Sequence, residues 1–346
     1  MGSRLRGFPY KTFPRGWYQV AWSHELAAGD VRPAKYFNLE LVMYRSESGK
    51  VNILDAHCRH MGAHLGHGGK VCGEHIACPF HGWKWSAEGA NVEVPYSRQK
   101  RVSAKLGRYP VIEKSGLVLM WYASDGRAPD YEPPIVPEFH DDAYYPVYPH
   151  GGIKGEANFP PQLLVENAVD VPHLKYVHNW TADEPGMGKF EDRGQSFYVE
   201  TFGAIDTVKG IARLQTQIEI WGIGLVYSHL SGLRDMGFVS GMVPIDDLRS
   251  EVRLTTAVKR KAGDTGDEPD SFARAMIAAQ AEEVIGMRAG GDRDIWEHME
   301  YRANPALVRE EVAGWLALRN FTAKFYDDEI KPPPVKETES APTLAA

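Results

Sequence analysis

Two cysteine–histidine pairs constrain the fold of this 346-residue chain more than any other feature of its sequence. Cys58 and His60 form the first pair, Cys78 and His81 form the second, and residues 61–77 separate them. For all four side chains to bind one metal centre, the two loops that carry them must lie side by side. A structural zinc site accepts two thiolates and two imidazoles, but its sequence usually pairs cysteine with cysteine and histidine with histidine. Zinc is therefore the alternative interpretation of these four residues.

The unlike pairing is typical of a Rieske-type [2Fe-2S] cluster. In that cluster two thiolates hold one iron and two imidazoles hold the other, which raises the reduction potential above that of an all-cysteine cluster. The chain between and after the pairs is rich in glycine, which lets loop backbone approach a cluster closely. Pro79-Phe80 and Gly82-Trp83 are expected to shield the cluster from water.

A second group of potential metal ligands lies further along the chain. His173 and His178 are five residues apart, and Asp170 precedes the first of them by three. A spacing of five does not place two side chains on one face of a straight helix, but a bend at Pro172 could bring both imidazoles to one ion. Two histidines and one carboxylate form the facial triad of non-haem Fe(II) sites, and here the third ligand must come from elsewhere in the chain. The pair alone is weak evidence, and a packing role for both histidines is the alternative.

The hydrophobic pattern predicts two domains. Short apolar runs punctuated by glycine and proline indicate an all-β domain, and the composition then shifts to Pro, Asp and Tyr. We place the boundary near Ser124, which gives domains of residues 1–124 and 125–346. The second domain begins with a proline-broken helix over 162–178 and continues with alternating runs that predict an antiparallel sheet. Residues 271–287 predict a helix, and a mobile tail is expected from about residue 331.

Charge and cysteine content narrow the function classes. The formal net charge is −7 and no long basic block is present, so a nucleic-acid partner is not expected. No run approaches 18 uninterrupted apolar residues, and the N-terminus lacks the apolar segment of a signal peptide. Three cysteines are too few for a disulfide framework. We therefore expect a cytoplasmic protein with protein and small-molecule partners.

Taken together, these motifs resemble the Rieske non-haem iron oxygenase α-subunit family over nearly the whole chain. The greatest similarity is to the oxygenase components of 3-ketosteroid 9α-hydroxylases and to cholesterol 7-desaturases. It rests on Leu54-Asp55-Ala56-His57-Cys58-Arg59-His60-Met61-Gly62, Ile76-Ala77-Cys78-Pro79-Phe80-His81, Val94-Pro95-Tyr96-Ser97 and Glu166-Asn167-Ala168-Val169-Asp170. The resemblance implies an α+β protein, with an all-β Rieske domain followed by a helix-grip catalytic domain.

The same resemblance implies roles for single residues. The third ligand of the mononuclear iron would be Asp292, before Ile295-Trp296, with Asp294 as the other candidate. Asp170 would bridge His173 to His81 of a neighbouring subunit, which implies a head-to-tail homotrimer. The stretch that ends at Tyr326 departs from the family pattern, because Asn320 and Thr322 stand where arginine and tryptophan are expected.

The implied activity is O2-dependent hydroxylation or desaturation of a bulky apolar substrate such as a steroid. Electrons would come from a flavin and iron-sulfur reductase or a ferredoxin, and would pass through the cluster to the mononuclear Fe(II). An aromatic-acid oxygenase or O-demethylase is the alternative within the class, and it would need a basic residue facing the iron. A Rieske electron-transfer protein without iron catalysis is the alternative from another class.

Overall fold

The computed structural model describes residues 5–180, 186–286 and 288–327. Within these residues the strands form four antiparallel sheets. The first eleven strands build three of the sheets, in the orders β1-β11-β10, β2-β3-β4-β9 and β5-β6-β7-β8. Their bounds are β1 Gly16–Trp22, β2 Val31–Tyr36, β3 Leu39–Arg45, β4 Val51–Asp55, β5 Lys70–Cys72, β6 His75–Ala77, β7 Lys84–Trp85, β8 Asn91–Glu93, β9 Arg108–Tyr109, β10 Val111–Lys114 and β11 Leu117–Tyr122.

Strand β3 explains how these sheets stack. Successive side chains of a strand point to opposite faces of a sheet. In β3, Leu41 and Met43 enter one core with Val20 and Val118, whereas Val42 and Tyr44 enter a second core with Leu65, Ile76 and Trp85. Both faces of the strand are therefore buried, which fits its unbroken apolar run. The small sheet β5–β8 lies on the second face. The loop between β4 and β5 carries the first cysteine–histidine pair, and the loop between β6 and β7 carries the second.

The remaining strands form one seven-stranded antiparallel sheet in the order β12-β18-β17-β16-β15-β14-β13. Their bounds are β12 Gly152–Ala157, β13 Gly186–Asp192, β14 Ser196–Thr207, β15 Gly210–Trp221, β16 Leu225–Ser231, β17 Met236–Pro244 and β18 Ser250–Val258. The helices are α1 Pro161–Glu166, α2 His173–Tyr176, α3 Ser271–Val284, α4 Asp292–His298 and α5 Arg309–Ala323. The predicted antiparallel sheet and the α+β class are confirmed.

The predicted interruption after α1 is also present. A single 3-10 turn, Asn167–Val169, follows α1, and Asp170 then leaves the helical region at φ −87° and ψ 74°. Pro172 precedes α2 and its ring prevents an uninterrupted helix through this point. The chain between α1 and α2 therefore bends, and His173 begins the new short helix.

Helices cover one face of the large sheet from two sides. Ala273 and Ile277 of α3 pack with Met236 and Val258. On the other side Leu318 and Phe321 of α5 belong to the core that contains Phe197 and Val199. Between these contacts the sheet stays uncovered and a cavity remains.

The predicted domain boundary and the predicted mobile tail both stay predictions. The boundary near Ser124 follows β11, which ends at Tyr122 and pairs with β1. The expected mobile tail from about residue 331 lies outside the described residues. In the part of the chain that the structure describes, no helix has the length and apolarity needed to cross a membrane.

Candidate metal centres and substrate cavity

The structure brings the two cysteine–histidine pairs together. Cys58 and Cys78 are both buried, and their thiols interact with each other. Burial is the main cause of the raised pKa of Cys58. The imidazole rings of His60 and His81 lie beside each other, with centroids 4.7 Å apart. Two thiols on the inside and two imidazoles on the outside match the donors of a mixed-ligand [2Fe-2S] cluster.

The two loops that carry these pairs have the same backbone design. In the first loop the N–H of Gly62 donates to the Cys58 carbonyl, and in the second the N–H of Gly82 donates to the Cys78 carbonyl, at 2.9 and 3.0 Å. Both glycines have positive φ, 78° and 71°, a conformation that other L-residues rarely adopt. Each turn folds back on its cysteine, and this brings the histidine beside the thiol.

The outer side of this centre carries exposed aromatic side chains, and the Phe80 ring lies against the His81 ring with centroids 3.8 Å apart. Phe80 is 61% exposed and Tyr96 is 62% exposed. Trp83 covers His60, because its ring stacks on that imidazole at 4.6 Å and its indole N–H donates to the Tyr96 hydroxyl at 2.9 Å. The histidine side of the centre therefore faces outward.

The second group forms where α2, α3 and α4 meet. His173, His178 and Asp292 each offer a ligand atom, and these three atoms lie within 4.8 Å of one another. Asp292 is buried at the first position of α4, and its Oδ2 lies 3.1 Å from His178 Nε2. Two imidazoles and one carboxylate suit a non-haem Fe(II) ion and leave positions open for other ligands. Asp294 points elsewhere, since its carboxylate accepts the backbone N–H of Gly290 at 2.8 Å.

His178 is held between two carboxylates. Its Nε2 contacts Asp292, and its Nδ1 lies 3.1 Å from Glu283 of α3. Burial alone would lower the pKa of His178, but the hydrogen bond to Asp292 and the charges of Asp292 and Glu283 outweigh it, so the pKa is raised. Arg288 contacts both Glu283 and the carbonyl of Val177, each at 3.1 Å.

His173 is held by the chain that precedes it. Its Nδ1 contacts the backbone carbonyl of Asp170, and its Nε2 lies 3.1 Å from Asn167 Nδ2. The Asp170 carboxylate accepts the backbone N–H of His173. Burial raises the pKa of Asp170, and the negative charges of Glu311 and Asp292 raise it further. Within one subunit, then, the Asp170 carbonyl and not its carboxylate reaches the imidazole.

Sequence reasoning missed Glu283 and Asn167. Glu283 lies in a helix that we predicted, but no spacing relates it to His178, more than a hundred residues away. Asn167 was part of a quoted motif and could have been found from its position six residues before His173.

A cavity of about 370 Å³ opens beside the second group. His173, His178 and Asp292 line one part of it, and strands β14 to β17 and helix α3 line the rest. Most lining side chains are apolar, for example Ile218, Val226, Leu230, Met236 and Met276. Phe238 lines the cavity and also packs against the core that contains Met236 and Val258.

Two family models match successive parts of the chain. Residues 16–110 match the Rieske [2Fe-2S] domain. Residues 120–326, more than half of the chain, match the 3-ketosteroid 9alpha-hydroxylase C-terminal domain.

Curated relatives agree with both matches. A probable 3-ketosteroid-9-alpha-monooxygenase, oxygenase component, of Rhodococcus rhodochrous is 28% identical over 352 residues, which cover 96% of this chain and 85% of that protein. A cholesterol 7-desaturase of Xenopus laevis is 37% identical over 176 residues. That alignment covers 51% of this chain and only 38% of the frog protein.

Among solved structures, dicamba monooxygenase bound to dicamba is similar in fold. The TM-score is 0.70 at 18% sequence identity, and the alignment covers 90% of this chain and 96% of that chain. At this identity the similarity establishes the fold alone.

Proposed function

Because the chain belongs to the family that joins a Rieske [2Fe-2S] domain to a 3-ketosteroid 9α-hydroxylase C-terminal domain, we propose that it is the terminal oxygenase component of a Rieske monooxygenase. Its substrate is a bulky apolar molecule, a steroid by analogy with the names of its relatives. The reaction is O2-dependent hydroxylation or desaturation.

One observation carries this proposal. The apolar cavity ends at His173, His178 and Asp292, so a substrate inside it would lie beside the group that suits Fe(II). Ligand-binding cavities are mostly apolar with a few convergent polar groups. A cavity without such a group at its end would favour the electron-transfer alternative instead.

We assign the [2Fe-2S] cluster to Cys58, His60, Cys78 and His81, and the iron to His173, His178 and Asp292. When bound, the cluster supplies single electrons and the iron supplies the site at which dioxygen is reduced. In this chain Glu283 orients His178 through Nδ1, and the Asp170 carbonyl orients His173 through Nδ1. With both Nδ1 atoms engaged, each imidazole would bind the metal through Nε2, and Nε2 of His173 would exchange its contact with Asn167 for the metal.

The overall reaction needs an electron donor. Hydroxylation consumes one O2, two electrons and two protons, and it converts C–H to C–OH with release of one water. Desaturation with the same inputs removes two hydrogens from the substrate and releases two waters. A flavin and iron-sulfur reductase or a ferredoxin is the proposed donor, and the chain would act in the cytoplasm.

A homotrimer would give the electrons a short path. The exposed side chains Met61 and Phe80 flank the cluster loops, and Tyr176, 79% exposed, lies on α2 between the two histidines. Docking of these two surfaces from neighbouring subunits would bring His81 to the Asp170 carboxylate, which binds the backbone N–H of His173 but not its imidazole within one subunit. Light scattering should give the mass of three chains, and Phe80→Glu should yield smaller species. A monomeric wild type would contradict this arrangement.

An aromatic-acid O-demethylase is the competing activity. The fold similarity to dicamba monooxygenase would suit it. The charges in the cavity argue against it, because among the described residues the lining includes three carboxylates and neither arginine nor lysine. The basic residues Arg253 and Lys259 lie in strand-like runs of the catalytic domain. Arg253 is ion-paired with Glu25 and Glu251, and Lys259 is ion-paired with Asp235, so neither is available to bind a substrate carboxylate.

Mass spectrometry of products tests the proposal. Purified protein with both metal centres reduced receives oxygen and a panel of 3-ketosteroids, sterols and methoxybenzoates. A steroid that gains one oxygen, or loses two hydrogens, is the expected product, and His173→Ala should abolish it. A demethylated benzoate with formaldehyde would favour the competing activity. If His173→Ala left the function of the protein unchanged, an electron-transfer protein without iron catalysis would be favoured. If the purified protein lacked the colour of an iron-sulfur cluster, zinc at the cysteine–histidine pairs would be favoured.

A further inference from the structure

Trp85 is a buried tryptophan whose indole N–H is not used by the protein. Its side chain is fully buried in the core that also contains Cys58 and Cys78. Among the described residues its Nε1 atom has no hydrogen-bond partner. A buried indole N–H normally finds an acceptor. Other tryptophans of this chain follow that rule and donate to an oxygen, namely Trp17, Trp22, Trp83 and Trp121.

The Trp85 indole lies beside the sulfur of Cys58. Burial dominates the pKa of Cys58 and raises it, but the indole N–H acts in the opposite direction, because a hydrogen-bond donor favours the thiolate. A protonated thiol is a weak acceptor, so this donor is poorly satisfied by it. Cysteines hold an iron-sulfur cluster as thiolates, and a hydrogen bond to a charged acceptor is about twice as strong as one between neutral groups.

The fold holds the Trp85 ring in a fixed position relative to the second cysteine–histidine loop. Trp85 ends β7 and pairs with Ile76 of β6 and with Asn91 of β8. The base of the loop is closed by the backbone N–H of Cys78, which donates to the carbonyl of Trp83 at 2.8 Å. The donor is therefore in place before any cluster binds, and no rearrangement of the strand is needed.

The surroundings of Trp85 strengthen its effect on a nearby charge. The core around it is apolar and includes Val42, Leu65 and Leu106. Hydrogen bonds are electrostatically stronger in such a medium than in water. Reduction adds one negative charge to a cluster, so a donor directed at a thiolate sulfur stabilises the reduced form more than the oxidised form. Hydrogen bonds to the sulfurs are among the factors that set the reduction potential of iron-sulfur clusters.

We propose that the indole N–H of Trp85 donates to the cluster-bound sulfur of Cys58 and raises the reduction potential of the cluster. The inference rests on the proposed function, in which Cys58 is a cluster ligand. The electron comes from the reductase or ferredoxin, the indole keeps its hydrogen, and no bond breaks in this step. Trp85 thereby makes the cluster easier for the electron donor to reduce.

Trp85→Phe tests the proposal, because phenylalanine keeps an aromatic ring in the core and lacks the N–H. At a fixed applied potential we expect the ratio of reduced to oxidised cluster to fall about tenfold, which is a decrease of about 59 mV for one electron. Spectroelectrochemical titration of the holoprotein at constant pH measures it. Trp121→Phe is the matched control, since Trp121 is equally buried but donates to the carbonyl of Arg127 at 2.9 Å. It should keep the wild-type potential.

A second measurement needs no loss of packing. Wild-type holoprotein that carries an isotopically labelled indole nitrogen is reduced and studied by pulsed electron paramagnetic resonance. A weak coupling between the cluster spin and one labelled nitrogen is expected. The coupling should disappear in Trp85→Phe and persist in Trp121→Phe. Because the wild type alone gives the first result, the proposal can be decided even if Trp85→Phe does not fold.

The outcomes distinguish this inference from the proposed function. An unchanged potential in Trp85→Phe with full iron content, an equal decrease in Trp121→Phe, or a wild type without indole coupling would overturn the role of Trp85. A lowered potential specific to Trp85→Phe would support that role even if no substrate were oxidised, and the oxygenase proposal alone would then fail. A holoprotein without a reducible cluster would overturn both.

Discussion

At the scale of single residues, Glu283 is the contact of the second metal centre that is most open to test. Its carboxylate lies 3.1 Å from His178 Nδ1, which leaves Nε2 for a metal. Partners that orient a metal-bound histidine typically change metal affinity 10- to 100-fold when they are mutated. We expect Glu283→Ala to lower iron affinity by about that factor, and Glu283→Gln to lower it less because the amide oxygen can still accept the Nδ1 proton.

Iron affinity in the Glu283 variants is measured by competition with a chelator that leaves the cluster intact. Glu282→Gln, an exposed neighbour on the same helix, is the control and should bind iron as the wild type does. Equal affinities for Glu283→Ala and wild type would mean that Glu283 does not orient the ligand.

The residue scale also shows what sequence can predict. Cys58, His60, Cys78 and His81 follow from local spacing, because each loop supplies its own pair. The preference for Asp292 over Asp294 came from a short resemblance and stays a prediction. In the structure Asp292 lies beside the two histidines, whereas the Asp294 carboxylate accepts the backbone N–H of Gly290. Glu283 could not be predicted, since its contact depends on how α3 crosses the sheet.

At the scale of elements, a buried ion pair joins α1 to α5. Arg319 donates from Nε and Nη2 to the two carboxylate oxygens of Glu166, at 3.0 and 3.1 Å, and both side chains are nearly inaccessible. Removal of one partner leaves the other charge buried, which costs about 3–5 kcal/mol. We expect Arg319→Met to reduce the free energy of unfolding by about this amount, measured by urea titration of the metal-loaded protein.

Two comparisons control the Arg319 prediction. Arg249→Met removes a more exposed ion pair with Asp246 and should change stability by less than about 1 kcal/mol. Combining Glu166→Gln with Arg319→Met should recover part of the loss, since the isolated charge is gone. If the double variant is as unstable as the sum of the singles, the loss does not come from the buried pair.

Element prediction succeeded where the pattern is local. The strands of the large sheet and helix α3 follow from alternation and helical spacing, and Pro172 marked the break before His173. The pattern could not predict that Phe238 faces a cavity, because a strand face that lines a cavity and one that packs in a core are equally apolar.

At the scale of the whole molecule, a polar contact joins the Rieske part to the catalytic sheet. Arg253 of β18 reaches back to Glu25, at 3.0 Å, and its guanidinium lies over the Trp22 ring. The Trp22 indole N–H donates to Thr255 at 2.8 Å. None of these pairs has a sequence spacing that predicts it, because the residues are more than two hundred positions apart.

This contact makes the stability of the molecule depend on pH. Burial alone would raise the pKa of Glu25, but the charge of Arg253, the N–H of Trp22 and the charge of Lys154 outweigh it, so the pKa is lowered. The unfolded chain therefore binds this proton more readily than the folded one. The stabilisation is complete above the ordinary glutamate pKa and is lost as the pH falls through the lowered value.

We therefore expect Glu25→Gln to be less stable than the wild type by about 1.5–3 kcal/mol at pH 7. The difference should shrink as the pH falls below the ordinary glutamate pKa, because the wild type then loses the charge that the variant already lacks. Urea titrations at a series of pH values measure it. Glu132→Gln, which removes an exposed pair with Lys114, should show a small difference that does not change with pH in this way. If the difference in free energy of unfolding between the wild type and Glu25→Gln stayed constant down to pH 3, the contact between the Rieske part and the catalytic sheet would not depend on the Glu25 charge.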